Sequence, residues 1–141
     1  IEEYLNEYAG IKAFMENIIE RTKEQGYVET LFHRRRYVPE LQSKNYNVRQ
    51  FGTRVAMNTP IQGTAADIMK MAMINVRNKI KEQNLEAKVV LQVHDEMMIE
   101  APEKEEEQVK EIMKTEMENV MKLKVPLIAE ISEARNWYDC K

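Results

Sequence analysis

The segment of residues 88–101 constrains the fold of this chain more than any other. It carries two short apolar runs on either side of residues 93–97, which read Val-His-Asp-Glu-Met. The runs predict a hairpin with strands over 89–93 and 97–101. Tight hairpin turns favour Asn-Gly, Asp-Gly or Gly-X pairs, because those residues tolerate positive φ. This turn contains no glycine, so either its acids are merely solvated or the turn holds carboxylates for a purpose.

Residue patterns elsewhere predict several helices and a second hairpin. Apolar residues at helical spacing predict helices over residues 11–25, over 60–83, and from Pro102 to Lys124. In the second of these helices one face is expected to be apolar and to lie inward, at positions 61, 65, 68, 69, 72, 73, 76 and 80. Alternating residues predict strands over 27–31, 35–38 and 127–133. Residues 40–48 are polar and loop-like, although the segment from Val48 to Arg54 could start a helix. These elements predict an α+β domain in which helices pack on a small antiparallel sheet.

Glycines and prolines predict where these elements end. Gly26 suits the left-handed position that follows a helix, and Pro39 ends the first hairpin. Pro126 breaks the last helix. Helical spacing is also present in residues 1–9, at Tyr4, Leu5 and Tyr8, and Gly10 is expected to interrupt it.

Length and composition indicate a globular domain in a reducing compartment. The chain has 141 residues, of which 43% are hydrophobic and 32% charged, so it can form one domain with a real core. No apolar run approaches the roughly 18 residues of a membrane span, and no signal peptide is expected. A single cysteine excludes an internal disulfide or a cysteine metal cage. The first residue is isoleucine, and we expect a piece of a longer protein.

The charge of −3 is unevenly distributed along the chain. Residues 33–54 contain six cations and one acid, whereas residues 95–118 contain ten acids and three lysines. A basic face can therefore exist on an acidic protein. The net charge alone does not exclude a nucleic-acid partner.

Arg54, Asn58 and Gln62 are spaced by four residues and would share one side of a continuous helix. Such side chains donate to phosphates and to base edges in the grooves of nucleic acids, although most polar helix faces simply meet water. Pro60 lies among them and leaves two outcomes. Either Thr59 caps a new helix with Pro60 in its first turn, or a longer helix is distorted at Pro60.

Three consecutive arginines lie beside the turn of the first predicted hairpin. Strand alternation would point Arg34 and Arg36 together and Arg35 away. Neighbouring arginines suit phosphate binding. A solvated, charge-protected strand edge is an equally good interpretation.

Asp95 could provide part of a phosphoryl-transfer site, since Mg²⁺ commonly takes one or two carboxylates and substrate phosphates. Asp95 and Glu96 would alternate in strand geometry, so they should not both face one ion. A two-metal site would need a carboxylate from another element, and Glu29, which lacks context, is the only upstream candidate in a strand-like segment. Taken alone, an acidic turn is more often just solvated.

Three motifs in this order and spacing resemble the C-terminal part of family A DNA polymerases, of the bacterial polymerase I type. They are Gly-Tyr-Val-Glu-Thr-Leu-Phe-His-Arg-Arg-Arg-Tyr-Val-Pro at 26–39, Arg-Val-Ala-Met-Asn-Thr-Pro-Ile-Gln-Gly-Thr-Ala-Ala-Asp at 54–67, and Gln-Val-His-Asp-Glu at 92–96. The likeness continues to Trp137. Long motifs in register are a specific signal.

The resemblance implies part of a right-hand polymerase. Residues 1–53 would form the end of the fingers subdomain with the arginine-rich hairpin, and residues 54–141 the C-terminal part of the palm. The implied activity is template-primed nucleotidyl transfer from deoxynucleoside triphosphates with two Mg²⁺ ions, acting on template–primer DNA. The implied location is the bacterial cytoplasm or nucleoid, with no membrane partner.

The resemblance also implies roles for individual residues. Asp95 matches the palm aspartate that binds the catalytic Mg²⁺ ions, and Glu96 matches the neighbouring catalytic acid. The implied DNA-binding residues are Arg54, Asn58 and Gln62 at the minor groove, His94 at the primer terminus and Arg36 near the primer. His33 stands where the family usually has glycine, so we expect a left-handed backbone there.

Other polymerase parts implied by the family are absent from this sequence, among them the palm strand with the second catalytic aspartate. We therefore expect the 141-residue chain alone to be inactive and to self-associate through exposed palm surface. Two alternatives remain at this stage. One is a non-catalytic module that binds duplex nucleic acid, and the other is a structural interaction domain.

Overall fold

The computed structural model describes residues 7–140, which form two compact units divided between Ala65 and Ala66. The helices are α1 Ala9–Gln25, α2 Tyr46–Asn58, α3 Thr64–Glu82 and α4 Glu106–Glu118, and a π-helical turn, Thr59–Gly63, follows α2. Short 3₁₀ helices cover Pro39–Gln42, Glu103–Glu105 and Trp137–Cys140. The strands are β1 Tyr27–Glu29, β2 Arg35–Tyr37, β3 Lys88–Val93 and β4 Glu96–Glu100. None of the described helices is both long enough and apolar enough to cross a membrane.

The first unit has a small core between the β1–β2 hairpin and α2. Its buried residues are Val28, Val38, Leu41, Val55 and Ala56. The hairpin is antiparallel, with Val28 opposite Arg36. Gly26, at φ 80°, ends α1 and donates its amide to the Thr22 carbonyl, as predicted. The predicted first hairpin is also confirmed, with shorter strands.

Two predicted boundaries in this unit are wrong. Gly10 does not interrupt a helix but lies inside α1, while Tyr4 and Leu5 lie outside the described residues. The segment 40–48 is not a loop throughout, because α2 begins at Tyr46. The Asn45 side chain accepts hydrogen bonds from the amides of residues 47 and 48, which caps the helix start two residues earlier than the apolar pattern indicates.

The chain continues past Pro60 in a helical path, so the second of the two expected outcomes is observed. The distortion is a π-helical turn, a form that usually occurs as a single turn inside α-helices. The π-helical turn alters which side of the helical path each apolar residue faces. Ile61, predicted to face inward with Met69, Ala72 and Val76, is 67% exposed, whereas those three residues are buried.

The core of the second unit lies between α3, α4 and the β3–β4 hairpin. Its buried residues are Met69, Val76, Ile80, Ala87, Met97, Val109 and Ile112, with Met73, Met113 and Met117 partly buried against them. The carboxylate of Glu105 is buried and accepts the backbone amides of Glu86 and Ala87 at 2.9 and 3.1 Å. These bonds tie the start of α4 to the segment that enters β3.

The predicted closing strand over 127–133 is wrong, although the α+β class is confirmed. Among the described residues, the strands form two separate two-stranded sheets. Residues 127–131 still alternate between half-buried and exposed, but a strand needs a hydrogen-bonded neighbour. The amide of Ala129 instead donates to the Glu118 carboxylate at 3.1 Å.

The last helix also ends earlier than predicted, at Glu118 and not at residues 122–124. Asn119 follows it, and both its backbone amide and its side-chain amide donate to the Thr115 carbonyl, at 3.1 and 2.7 Å. The backbone of Asn119, at φ −100° and ψ 9°, has left helical values. The helix therefore stops well before Pro126.

We predict that Gly52→Ala destabilises the protein by about 1–3 kcal/mol, the usual range for overpacking. A Cβ atom at Gly52 would lie 2.9 Å from the backbone nitrogen of Leu41 and 3.0 Å from the Glu40 Cβ atom. The control is Gly10→Ala, where nothing lies within 4 Å of the added atom, and which should stabilise α1 by up to about 1 kcal/mol. Chemical denaturation of both variants measures the effects. If Gly52→Ala were as stable as Gly10→Ala, the close approach at Gly52 would be contradicted.

We also predict that His33→Gly is tolerated or stabilises the protein by up to about 1 kcal/mol. His33 has φ 60°, which confirms the expected left-handed backbone, and its side chain is 86% exposed. The matched control is Leu31→Gly in the same loop, which should destabilise because φ is not positive there. A loss above about 1 kcal/mol for His33→Gly in denaturant titrations would refute a strained histidine.

Candidate functional site

The tip of the β3–β4 hairpin is a two-residue loop made of His94 and Asp95. Val93 pairs with Glu96 across the loop, so each strand reaches the turn directly. His94 has φ 52°, one of three positive values among the non-glycine residues described. The side-chain amide of Gln92 donates to the His94 carbonyl at 2.6 Å. A histidine therefore adopts the positive φ that glycine usually supplies in such turns.

The backbone at this tip is strained. A left-handed conformation costs a non-glycine residue roughly 1–2 kcal/mol, and such strain persists only where the surroundings impose it. Met97, one residue into β4, is buried in the core of the second unit. The packed hairpin thus imposes the conformation of His94 and sets the direction of the next residue, Asp95.

Both acids at the tip are exposed, and the described part of the chain shows no hydrogen bond or ion pair to either carboxylate. Carboxylate oxygens that are accessible and unpaired are the donors that a hard divalent cation takes. Asp95 lies in the loop and Glu96 begins β4, so two adjacent backbone positions carry acids. The tip therefore offers an accessible carboxylate of the kind that a divalent cation binds, with a second acid at the next backbone position.

The one group of three acids close enough to share a metal ion in residues 7–140 lies elsewhere, at Glu106, Glu107 and Glu133. Lys110 forms ion pairs with all three, at 2.5 Å to Glu106 and 3.0 Å to Glu107. The hydrogen bonds to Glu106 and then Glu107 raise the pKa of Lys110. An ammonium group already occupies this cluster, so it is an ion-pair network.

Arg54, Asn58 and Gln62 are all exposed. Arg54 and Asn58 lie one turn apart on α2, and Gln62 lies in the π-helical turn that follows. The residues between them, Val55, Ala56 and Thr59, are buried. The predicted polar series is therefore presented to solvent while the other side of the helix meets the core.

The three arginines beside the first hairpin turn have different environments. Arg35 donates to Glu29 at 2.8 Å and its guanidinium lies 4.5 Å from the centre of the Tyr27 ring. The Arg34 guanidinium donates to the Gly63 carbonyl at 3.1 Å, and Arg34 precedes β2, so strand alternation does not orient it. Arg36 is exposed on β2 opposite Val28.

Glu29 is not a free metal ligand. The hydrogen bond from Arg35 lowers the pKa of its carboxyl group, and His33 Nδ1 lies 3.6 Å from the other oxygen. Its carboxylate is engaged by the hairpin itself. The only upstream acid that the sequence offered as a partner for Asp95 therefore has a local structural role.

Sequence reasoning missed Gly63 and Thr64, which directly follow Gln62. The structure joins both to the loop of the β1–β2 hairpin. A signal was available, because a glycine within a helical pattern costs about 1 kcal/mol relative to alanine and usually has a packing reason.

Comparisons with known proteins identify the family. Residues 1–139 match the family described as DNA polymerase family A. The chain is 51% identical over 141 residues to DNA polymerase I of Caldicellulosiruptor bescii and 50% identical to that of Bacillus subtilis. The two matches cover all of this chain but only 17% and 16% of those proteins. This chain therefore spans about one sixth of their length.

A solved structure shares the same fold. It is the POL domain of Pol1 from M. smegmatis in a complex with DNA primer-template and dNTP. The match covers 99% of this chain and 24% of the M. smegmatis chain, with 39% sequence identity and a TM-score of 0.94. Together with the strained acidic hairpin and the polar face that follows α2, these matches show that the chain belongs to DNA polymerase family A.

Proposed function

We propose that this chain works as part of a DNA-directed DNA polymerase that extends a primer on a template by nucleotidyl transfer from deoxynucleoside triphosphates. The observation that carries the proposal is the hairpin tip, where an exposed, unpaired Asp95 carboxylate follows a histidine held at φ 52°. Strain of this kind concentrates at functional sites. Family membership supports the activity, since the matched M. smegmatis domain is described with primer-template and dNTP.

Asp95 is the proposed metal ligand, with Glu96 as the neighbouring acid. Their oxygens are hard donors of the type that Mg²⁺ prefers, and such ions commonly take the rest of their ligands from substrate phosphates and water. The chemistry that two bound Mg²⁺ ions supply is stabilisation of charge on the transferred phosphoryl group. The contribution of this chain is a carboxylate whose backbone is immobilised before substrate arrives.

The exposed polar residues supply the proposed contacts with template–primer DNA. Gln62, Asn58 and Arg54 suit the minor groove, where amide and guanidinium groups can donate to base acceptors. Arg36 suits a phosphate near the primer, and His94 suits the primer terminus because it adjoins Asp95.

In this proposal residues 1–53 belong to the fingers and residues 54–141 to the palm of the polymerase. The proposed location is the bacterial cytoplasm or nucleoid, where the template is. The chain spans about one sixth of its relatives' length, so the remaining ligands for the ions and the triphosphate would come from other parts of the enzyme.

We predict that Asp95→Asn in the complete polymerase lowers turnover by about 10²-fold or more, in line with loss of one preorganised electrostatic group, while DNA affinity stays nearly unchanged. The substitution keeps the size of the side chain and removes its charge. Glu100→Gln is the matched control, since Glu100 is exposed at the other end of β4 and should leave turnover unchanged. Single-turnover primer extension and DNA titration measure the two quantities. Near-normal turnover of Asp95→Asn would leave a non-catalytic duplex-binding module as the better interpretation.

We also predict that the purified 141-residue chain gives no primer extension with Mg²⁺ and all four triphosphates. One carboxylate-bearing hairpin should bind Mg²⁺ only weakly, and alignment of the triphosphate is worth several kcal/mol of barrier lowering. Light scattering should show self-association, since Val90, Leu91 and Ile128 are exposed and the β3–β4 hairpin has unpaired edges. Template-dependent extension would refute the need for other segments, and a monomer at high concentration would refute the self-association.

A further inference from the structure

We propose that the loop of the β1–β2 hairpin positions Gln62 by holding the π-helical turn in one conformation. The hairpin–turn contact consists of Thr30, Leu31 and Arg34 on the loop, of Gly63 at the end of the turn and of Thr64, the first residue of α3. The inference rests on the proposed role of Gln62 at the primer–template minor groove. It makes these loop residues positioning residues that act through Gln62.

The first part of the contact is a relay through the Thr64 hydroxyl. This hydroxyl donates its one proton to the Pro60 carbonyl, and it accepts the Leu31 backbone amide at 2.9 Å. Since a hydroxyl has a single proton, the bond to Pro60 leaves its lone pairs for Leu31. Thr64 is only 5% exposed, so water does not readily replace either partner. The loop backbone is thereby joined to the carbonyl two residues before Gln62.

The second part of the contact acts on the residue immediately after Gln62. The Arg34 guanidinium donates to the Gly63 carbonyl at 3.1 Å. A Cβ atom at Gly63 would lie 2.8 Å from the Thr30 Cγ2 atom, closer than side chains normally approach. Thr30 is 4% exposed, and its hydroxyl accepts the Arg34 amide at 3.3 Å. Only glycine allows the turn and the loop to lie this close.

Gln62 is exposed, but the backbone carbonyls of Pro60 and Gly63, on either side of it, are held through the hairpin–turn contact. A π-helical turn has a different number of residues per turn from an α-helix, and each residue of an α-helix rotates the side-chain direction by about 100°. A change in the hydrogen bonding of residues 59–63 would thus redirect Gln62 relative to Asn58 and Arg54. The hairpin–turn contact determines whether the three polar side chains act on one groove.

The test is a double-mutant cycle between Gly63 and Thr30 in the complete polymerase, measuring primer extension from matched and mismatched termini. Gly63→Ala should change the matched-to-mismatched ratio in the same direction and to a similar extent as Gln62→Ala. Thr30→Ser keeps the hydroxyl but removes the clashing methyl group, so alone it should leave the ratio unchanged. Combined with Gly63→Ala, it should restore the ratio. No rescue in the double variant would overturn the proposal.

A second pair of variants compares loss of the Thr64 hydroxyl at nearly constant volume with its retention. Thr64→Val is close in volume but has no hydroxyl, whereas Thr64→Ser keeps the hydroxyl. The valine variant should lose hydrogen-exchange protection at the Leu31 amide and shift the extension ratio, and the serine variant should retain both. A valine variant that is less stable, or slower on every primer, yet has the normal ratio would show a purely structural role and overturn the proposal.

The outcomes separate this inference from the function on which it rests. If Gln62→Ala changes the ratio while Gly63→Ala and Thr64→Val do not, the groove role survives and the positioning role is overturned. If Gln62→Ala leaves the ratio unchanged, the groove role of Gln62 fails, and positioning through Gln62 fails with it. Asp95→Asn tests the catalytic role independently of both.

Discussion

Most of the first unit depends on one constraint, the position of Pro60 in the middle of a helical path. Its candidate binding face depends on the same constraint. Pro60 has no amide hydrogen to donate, and its ring would collide with a carbonyl one turn earlier in a regular helix. The chain forms a π-helical turn here. The Thr59 hydroxyl donates to the Val55 carbonyl, and the Thr64 hydroxyl donates to the Pro60 carbonyl. The hairpin loop lies against Gly63 at the end of this turn, where an added Cβ atom would lie 2.8 Å from the Thr30 Cγ2 atom.

The second unit uses core packing to hold a strained turn. The β3–β4 hairpin buries Met97 against the core residues of α3 and α4, and the buried Glu105 carboxylate binds the chain where it enters β3. This packing offsets the roughly 1–2 kcal/mol that a left-handed His94 costs. The backbone that carries Asp95 is thereby held in place, while its carboxylate stays exposed.

The elements that sequence patterns predicted well are those whose backbone hydrogen bonds join residues close in sequence. The 11–25 helix and both hairpins were confirmed, although Ile11 and Phe14 of the helix and Val90 of β3 are exposed. The 127–133 segment failed for a related reason. Its side chains alternate as in a strand, but hydrogen bonding to a neighbouring strand is not encoded in alternation. The early end of α4 lies at Asn119, where the backbone leaves helical values although apolar residues continue at helical spacing.

Residue type, order and spacing were enough to identify the family, the α+β class and the polar residues at the candidate sites. The three-dimensional fold sets how those residues are presented. It put a histidine in the left-handed turn before Asp95 and engaged Glu29 with Arg35. It also joined the first hairpin to the turn that carries Gln62. The His94 conformation depends on strain imposed by packing, the Glu29–Arg35 pair on the register of the first hairpin, and the contact with the turn on groups distant in sequence. A linear pattern carries none of these.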